Sequence, residues 1–164
     1  MKKFLLIIAV CLITTSTAFS QEFKFGIGGV VGTKSGIKET GEFKMNFGAN
    51  ARVLYDFSEK FAITGGFTYF LPSKVTHAGS EMKLTVMALN ADAVYYLMDD
   101  NNVKVYGLGG VNYASAKVSF MGADVTTSEL SWEAGAGVMF SNFFIEAKYD
   151  ANMEQIVGVL GIYF

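Results

Sequence analysis

From about residue 22 to the end, apolar and polar positions alternate with a period of two. The last stretch, Gln155-Ile-Val-Gly-Val-Leu-Gly-Ile-Tyr-Phe164, places Ile156, Leu160, Ile162 and Phe164 on one face. No sustained 3.6-residue periodicity competes with this pattern, so the chain is read as strands. A strand of this kind has two chemically different faces, and the fold has to give each a suitable environment.

The alternation divides into eight candidate strands, at about 22–32, 44–57, 61–71, 82–97, 103–114, 128–140, 143–151 and 155–164. The connections at 58–60, 98–102 and 141–142 are short. Those at 33–43, 72–81 and 115–127 are longer, and the one near 151–154 is short again. An even strand count with alternating short and long connections predicts an all-β protein, an eight-stranded antiparallel transmembrane up-and-down β-barrel. In such a barrel the tight turns and both termini face the periplasm.

A soluble lipocalin-like barrel has the same alternation turned inside out, so the composition of the faces decides between them. The second strand groups Phe47, Ala49, Ala51, Val53, Tyr55 and Phe57 against Asn46, Gly48, Asn50, Arg52 and Asp56. The third groups Phe61, Ile63, Phe67, Tyr69 and Leu71 against Ala62, Thr64, Gly66 and Thr68. The strands around Leu89–Leu97, Trp132–Phe140 and Phe143–Tyr149 follow suit, with aromatics towards the ends of the apolar face and no charge on it. Small and mixed-charge residues suit a narrow lumen, and an apolar face rimmed by aromatics suits lipid. The fourth strand near Met82 to Met87 is less regular, and a bulge there is expected to shift its register.

Lys2 and Lys3 precede an apolar run from Phe4 to Ile13, followed by small residues at Ala18 and Ser20. Residues 1–20 are read as a cleavable signal peptide and residues 21–164 as one barrel domain. The sole cysteine, Cys11, lies within that run, and the residues around it make a poor lipidation site. The remaining chain therefore has no thiol for a disulfide or a thiolate metal site. It is mildly acidic, with Arg52 as its one arginine, and lacks the basic footprint of a nucleic-acid binder.

The signal peptide, Tyr106-Gly-Leu-Gly-Gly-Val-Asn-Tyr113, Trp132-Glu-Ala-Gly-Ala-Gly-Val-Met-Phe140, Glu146-Ala-Lys-Tyr149 and Gly161-Ile-Tyr-Phe164 together resemble the small OmpX and OmpA-type outer-membrane β-barrel family. The resemblance covers essentially all of residues 21–164. It implies residence in the cell outer membrane of a Gram-negative bacterium, contact with outer-membrane lipid, and recognition by the barrel-assembly machinery, with Ile162 and Phe164 as part of that signal.

An eight-stranded barrel is just wide enough for side chains to fill. Arg52 and Asp92 each lie six residues before a short turn, a spacing that predicts similar depth and a pair across the lumen. Glu133, Glu146 and Lys148 are expected to form a second polar cluster between strands six and seven, since buried charge is costly without a partner. The functional reading of these five residues is an ion path or proton relay, and the simpler one is a polar core that holds the barrel together.

His77, the only histidine, is placed in the second long connection with Ser73, Ser80 and Glu81 nearby. A base beside a hydroxyl is the start of a nucleophilic site, but no motif of a lipid-modifying enzyme is matched. The glycine clusters at 26–29, 107–110 and 135–137 lack the spacing and the lysine of a phosphate loop and fit barrel curvature better. No cofactor or metal site is expected. The apolar residues Ile37, Phe43, Val118, Phe120 and Met121 in the long connections suggest a surface ligand or protein partner. The sequence thus supports a non-enzymatic barrel with a structural, envelope-integrity or surface-interaction role. A narrow transport channel, a lipid-modifying enzyme and a soluble lipocalin-like barrel are the alternatives.

Overall fold

The computed structural model describes residues 23–33, 45–77, 80–100, 102–120, 123–151 and 154–164. The expected signal peptide, Cys11, Ile37, Phe43 and Met121 lie outside them. Eight strands follow in order: β1 Phe23–Gly32, β2 Asn46–Asp56, β3 Phe61–His77, β4 Ser80–Asp100, β5 Val103–Phe120, β6 Ala123–Phe140, β7 Phe143–Asp150 and β8 Gln155–Tyr163. Each pairs antiparallel with its sequence neighbour, and β1 closes on β8 from Gly26 opposite Tyr163 to Gly32 opposite Val157. Closure leaves no free edge within the barrel wall.

The strand ends at the tight turns agree closely with the sequence reading, because turn residues mark them. Ser58 caps the β2–β3 turn by accepting the Phe61 N–H at 3.0 Å. Ser141 takes a φ of 53° in the two-residue turn between β6 and β7, a positive value of the kind tight hairpins use. The opposite ends differ from expectation. Residues 72–81 and 115–127, expected as long connections, are mostly strand: β3 and β4 run to His77 and Ser80, and β5 and β6 run to Phe120 and Ala123. The chain's one proline, Pro72, lies at a bulge where β3 gains a residue between Phe70 and Ser73 relative to Val86 and Leu84. A bulge tolerates the missing N–H. The irregularity expected on the fourth strand is thus the facing strand's, and a second bulge sits at Leu97.

The barrel wall separates two environments. Phe57, Phe61, Tyr95, Phe140 and Phe143 ring its turn end, while Tyr113, Trp132 and Tyr149 mark the other side, all of them more than two-fifths exposed. Rings within each belt touch: Phe61 lies 5.0 Å from Tyr95, and Trp132 lies 5.8 Å from Tyr149. From Phe61 to Tyr69, eight residue steps tilted by about 40° rise about 21 Å, close to the ~25 Å apolar band of a membrane barrel. Between the belts, the outward residues described here include Ile63, Phe67, Leu89, Val111, Ile145 and Leu160, and none is charged.

Inside, Leu54, Ala62, Tyr96, Met139, Phe144 and Tyr163 form an apolar floor at the turn end. Phe70, Leu84, Val86, Val157 and Val159 are buried towards the other end. Leu84 and Val86 explain the weak alternation of the fourth strand, since its inward face is apolar there. Charged and amide side chains occupy the space between the two apolar layers.

Candidate functional site, a charged lumen core

Twelve polar or charged side chains described here are buried, among them Arg52, Asp92, Glu133, Glu146, Lys148 and Asp150. All six of these face inward because their strands alternate: Arg52 lies on β2, Asp92 on β4, Glu133 on β6, and Glu146, Lys148 and Asp150 at every second position of β7. The five residues expected in a lumen network are brought to one place, but their pairing differs from the expectation.

Arg52 does not pair with Asp92. Its Nη1 donates to Glu146 Oε2 at 2.8 Å and its Nη2 to Glu146 Oε1 at 3.2 Å, and its Nε donates to Asn50 Oδ1 at 2.7 Å. The route to β7 passes over β1 and β8, where Gly26 and Gly161 have no side chain on the lumen face. A Cβ on Gly26 would come 3.1 Å from Arg52 Cγ and 2.8 Å from the Tyr163 ring, so the glycine makes room for both. On the other side Asp92 is engaged by Asn90, whose Nδ2 donates to Asp92 Oδ2 at 2.8 Å. Equal distance from the turns had suggested equal depth, but an open lane on one side decides which carboxylate the guanidinium reaches.

Lys148 joins the two expected clusters. Its Nζ lies 2.7 Å from Glu133 Oε1, 3.6 Å from Asp92 Oδ2 and 3.9 Å from Glu146 Oε1. Tyr106 also donates to Glu146 Oε2 at 3.1 Å, and the Arg52 guanidinium carbon stands 4.5 Å from the centre of the Phe144 ring. Bidentate and ring contacts of this kind favour arginine over lysine at position 52.

Some of the core was missed. Asp150 accepts from Asn112 Nδ2 at 2.6 Å and from Ser131 Oγ at 3.3 Å. Its position two residues after Lys148 on the same face was the available signal. Asn50, Asn90, Asn112 and Tyr106 were missed as network members because a lone amide or phenol on an alternating strand does not announce its partner. A cavity of about 20 Å³, room for roughly one water, remains among Asn112, Glu133, Lys148 and Asp150.

The other sequence-marked residues are not part of this core. His77 sits at the end of β3, its backbone in register with Ser80 of β4, and its side chain lies outside the described residues. Ile162 and Phe164 point away from the lumen, Phe164 being 67% exposed while its N–H donates to Phe25 O at 2.8 Å. Among the described residues no group of three or more His, Cys, Asp or Glu side chains is arranged to hold a metal.

An uncharged apolar belt on the outside and a filled ionic core inside define a membrane barrel, the reverse of a lipocalin-like one. The chain belongs to the outer membrane protein beta-barrel domain family, whose sequence model matches residues 4–154. It is an outer-membrane β-barrel protein of the Gram-negative type. It is 28% identical over 130 residues to the attachment invasion locus protein of Yersinia enterocolitica, covering 71% of this chain and 70% of that one. Its fold matches the crystal structure of Ail, the attachment invasion locus protein of Yersinia pestis, in complex with the heparin analogue sucrose octasulfate. The TM-score is 0.59 at 23% identity, over 88% of this chain and 97% of that one. It also matches Neisserial surface protein A, with a TM-score of 0.62 at 15% identity over 88% and 97% of the two chains.

Proposed function

We propose that the protein is a non-enzymatic surface-recognition protein in which the barrel is the anchor and a projecting sheet meets the ligand. The observation that carries this reading is the length of the two central hairpins. The ladder between β6 and β7 ends at Trp132 and Ala151, and that between β2 and β3 ends at Gly48 and Phe70. Beyond these points β3 to β6 continue as a four-stranded sheet. From Trp132 to Ala123 the chain runs nine residues, about 30 Å of strand.

Val125 through Leu130 are exposed on both faces, with Val125 at 64% and Leu130 at 66%. Among the described residues no strand pairs with the outer edge of this segment. An open edge with apolar side chains beside it accepts an incoming strand or an apolar surface. The names of the Yersinia relatives, which speak of attachment and invasion, support the same reading, and a sulfated glycan is a suitable first probe alongside protein-coated surfaces.

The filled lumen favours an anchor over a transport channel. The reading also takes residues 1–20 as a signal peptide removed on export, and Ile162 and Phe164 as part of the signal read by the barrel-assembly machinery. The test shortens both hairpins, joining Phe70 to Val86 and Ala114 to Glu129, each a facing pair in the sheet, through two-residue turns, in cells that display the protein. Loss of adherence by a variant that still shifts in electrophoretic mobility on boiling supports the proposal. Unchanged adherence refutes it.

A further inference from the structure

Among the described residues, the buried charges of the lumen do not balance. Two cations, Arg52 and Lys148, face four carboxyl groups, Asp92, Glu133, Glu146 and Asp150, and all six are at most 5% exposed. Uncompensated charge in such a place is expensive, so either a group is neutral or a further cation is held. The guanidinium of Arg52 is committed to Glu146 by two hydrogen bonds. The Lys148 ammonium is nearest to Glu133, with Asp92 almost an ångström further away.

Asp92 is the carboxyl group with an oxygen left over. Its Oδ2 accepts from Asn90, while its Oδ1 is buried with no donor in reach. The sheet register shows where that oxygen points. Asp92 on β4 lies opposite Gly110 on β5, and Gly110 lies opposite Glu133 on β6. Glycine in the middle position leaves a gap between the two carboxyl groups, and Asp92 Oδ1 fills it, 2.6 Å from where a Gly110 Cβ would stand. The Lys148 ammonium draws the two carboxyl groups to one point, 2.7 Å from Glu133 Oε1 and 3.6 Å from Asp92 Oδ2. An ionised carboxylate only accepts, so a bond between two of them needs a proton on one.

We propose that Asp92 and Glu133 form a proton-binding site, with one proton shared between Asp92 Oδ1 and the Glu133 carboxyl group across Gly110. The pair then carries one negative charge, which the Lys148 ammonium matches, while the fourth carboxyl group, Asp150, is held by hydrogen bonds from Asn112 and Ser131. The other charged groups facing the site are Glu146 and Asp150 from β7 and Arg52 from β2. On the strands flanking Asp92 its partners are Thr64 of β3 and Gly110 of β5, neither of them titratable.

The test is an infrared spectrum of the folded protein in detergent at neutral pH, read in the carbonyl region of protonated carboxylic acids. The wild type is expected to show such a band, and Asp92→Asn is expected to remove it while remaining folded, because its amide supplies the hydrogen the proton supplied. Glu133→Gln is expected to move the band, since the acceptor changes from carboxylate to amide, and to lower the unfolding temperature by removing the closest partner of Lys148. Absence of the band in the wild type overturns the proposal, as does a band unaltered by Asp92→Asn. If Asp92→Asn does not fold, Glu133→Gln decides: a displaced band supports the shared proton and an unmoved one overturns it.

Discussion

Arg52 and Glu146, 94 positions apart in the chain, meet in two hydrogen bonds of 2.8 and 3.2 Å, and both side chains are 2% exposed. The pair ties β2 to β7 across the β1–β8 closure. Its value lies in leaving neither charge alone, since an ion pair of this kind gains little over a well-packed apolar pair but costs much when halved.

Arg52→Leu should therefore lower stability by about 3–5 kcal/mol, the usual cost of stranding a buried charge. Arg52→Leu combined with Glu146→Leu should cost less than the two single changes added together. Urea titrations of the folded band in lipid vesicles, read by electrophoresis without boiling, measure both. Additive losses would show that the two residues act separately.

A lumen glycine and a lipid-facing one should differ in their response to an added methyl group. At Gly135 a Cβ would strike Ala147 O and lie 2.8 Å from Lys148 Cα, both of them backbone atoms that cannot swing aside. At Gly29 a Cβ would meet nothing within 4 Å. Gly135→Ala should sharply reduce the fraction that refolds, and Gly29→Ala should leave it unchanged. Refolding yield from urea into detergent is the measurement.

How much of this was legible in the sequence depends on the environment of each segment. Within the membrane, one face meets lipid and the other the lumen, so residues such as Phe47 to Asp56 alternate cleanly and the strand ends at the tight turns were read to within three residues. Beyond the apolar belt both faces of β6 meet water. Thr126 and Thr127, polar residues in succession, then break the alternation, and the strand there reads as a loop. The same reasoning accounts for the residues before His77, which was expected in a connection and lies at a strand end.

The charged core was legible as a set of residues and not as a set of pairs. Alternation shows that Arg52, Asp92, Glu133, Glu146 and Lys148 point inward. Which ones touch depends on the tilt of the strands and on the lane opened by Gly26 and Gly161, and neither is a local property of the sequence around Arg52.

A charge placed on the outside of the wall should be far more harmful than one on the projecting sheet. Ile145 is 55% exposed, in the middle of the apolar belt, and Ile145→Lys should cost about 2–4 kcal/mol. Val125→Lys, on the sheet above, should change stability by less than about 0.5 kcal/mol. Parallel urea titrations in vesicles compare them, and equal effects would place the two residues in similar surroundings.

The most direct test of the architecture uses the absence of cysteine after residue 11. Val125→Cys and Leu130→Cys on the projecting sheet, and Ile145→Cys and Leu160→Cys on the wall, are displayed on intact cells and treated with a membrane-impermeant thiol reagent. Labelling at 125 and 130, with 145 and 160 protected until the membrane is dissolved, is the expected result. Labelling at 145 and 160 in intact cells, or protection at 125 and 130, would contradict a lipid-embedded barrel carrying its long hairpins outside the cell.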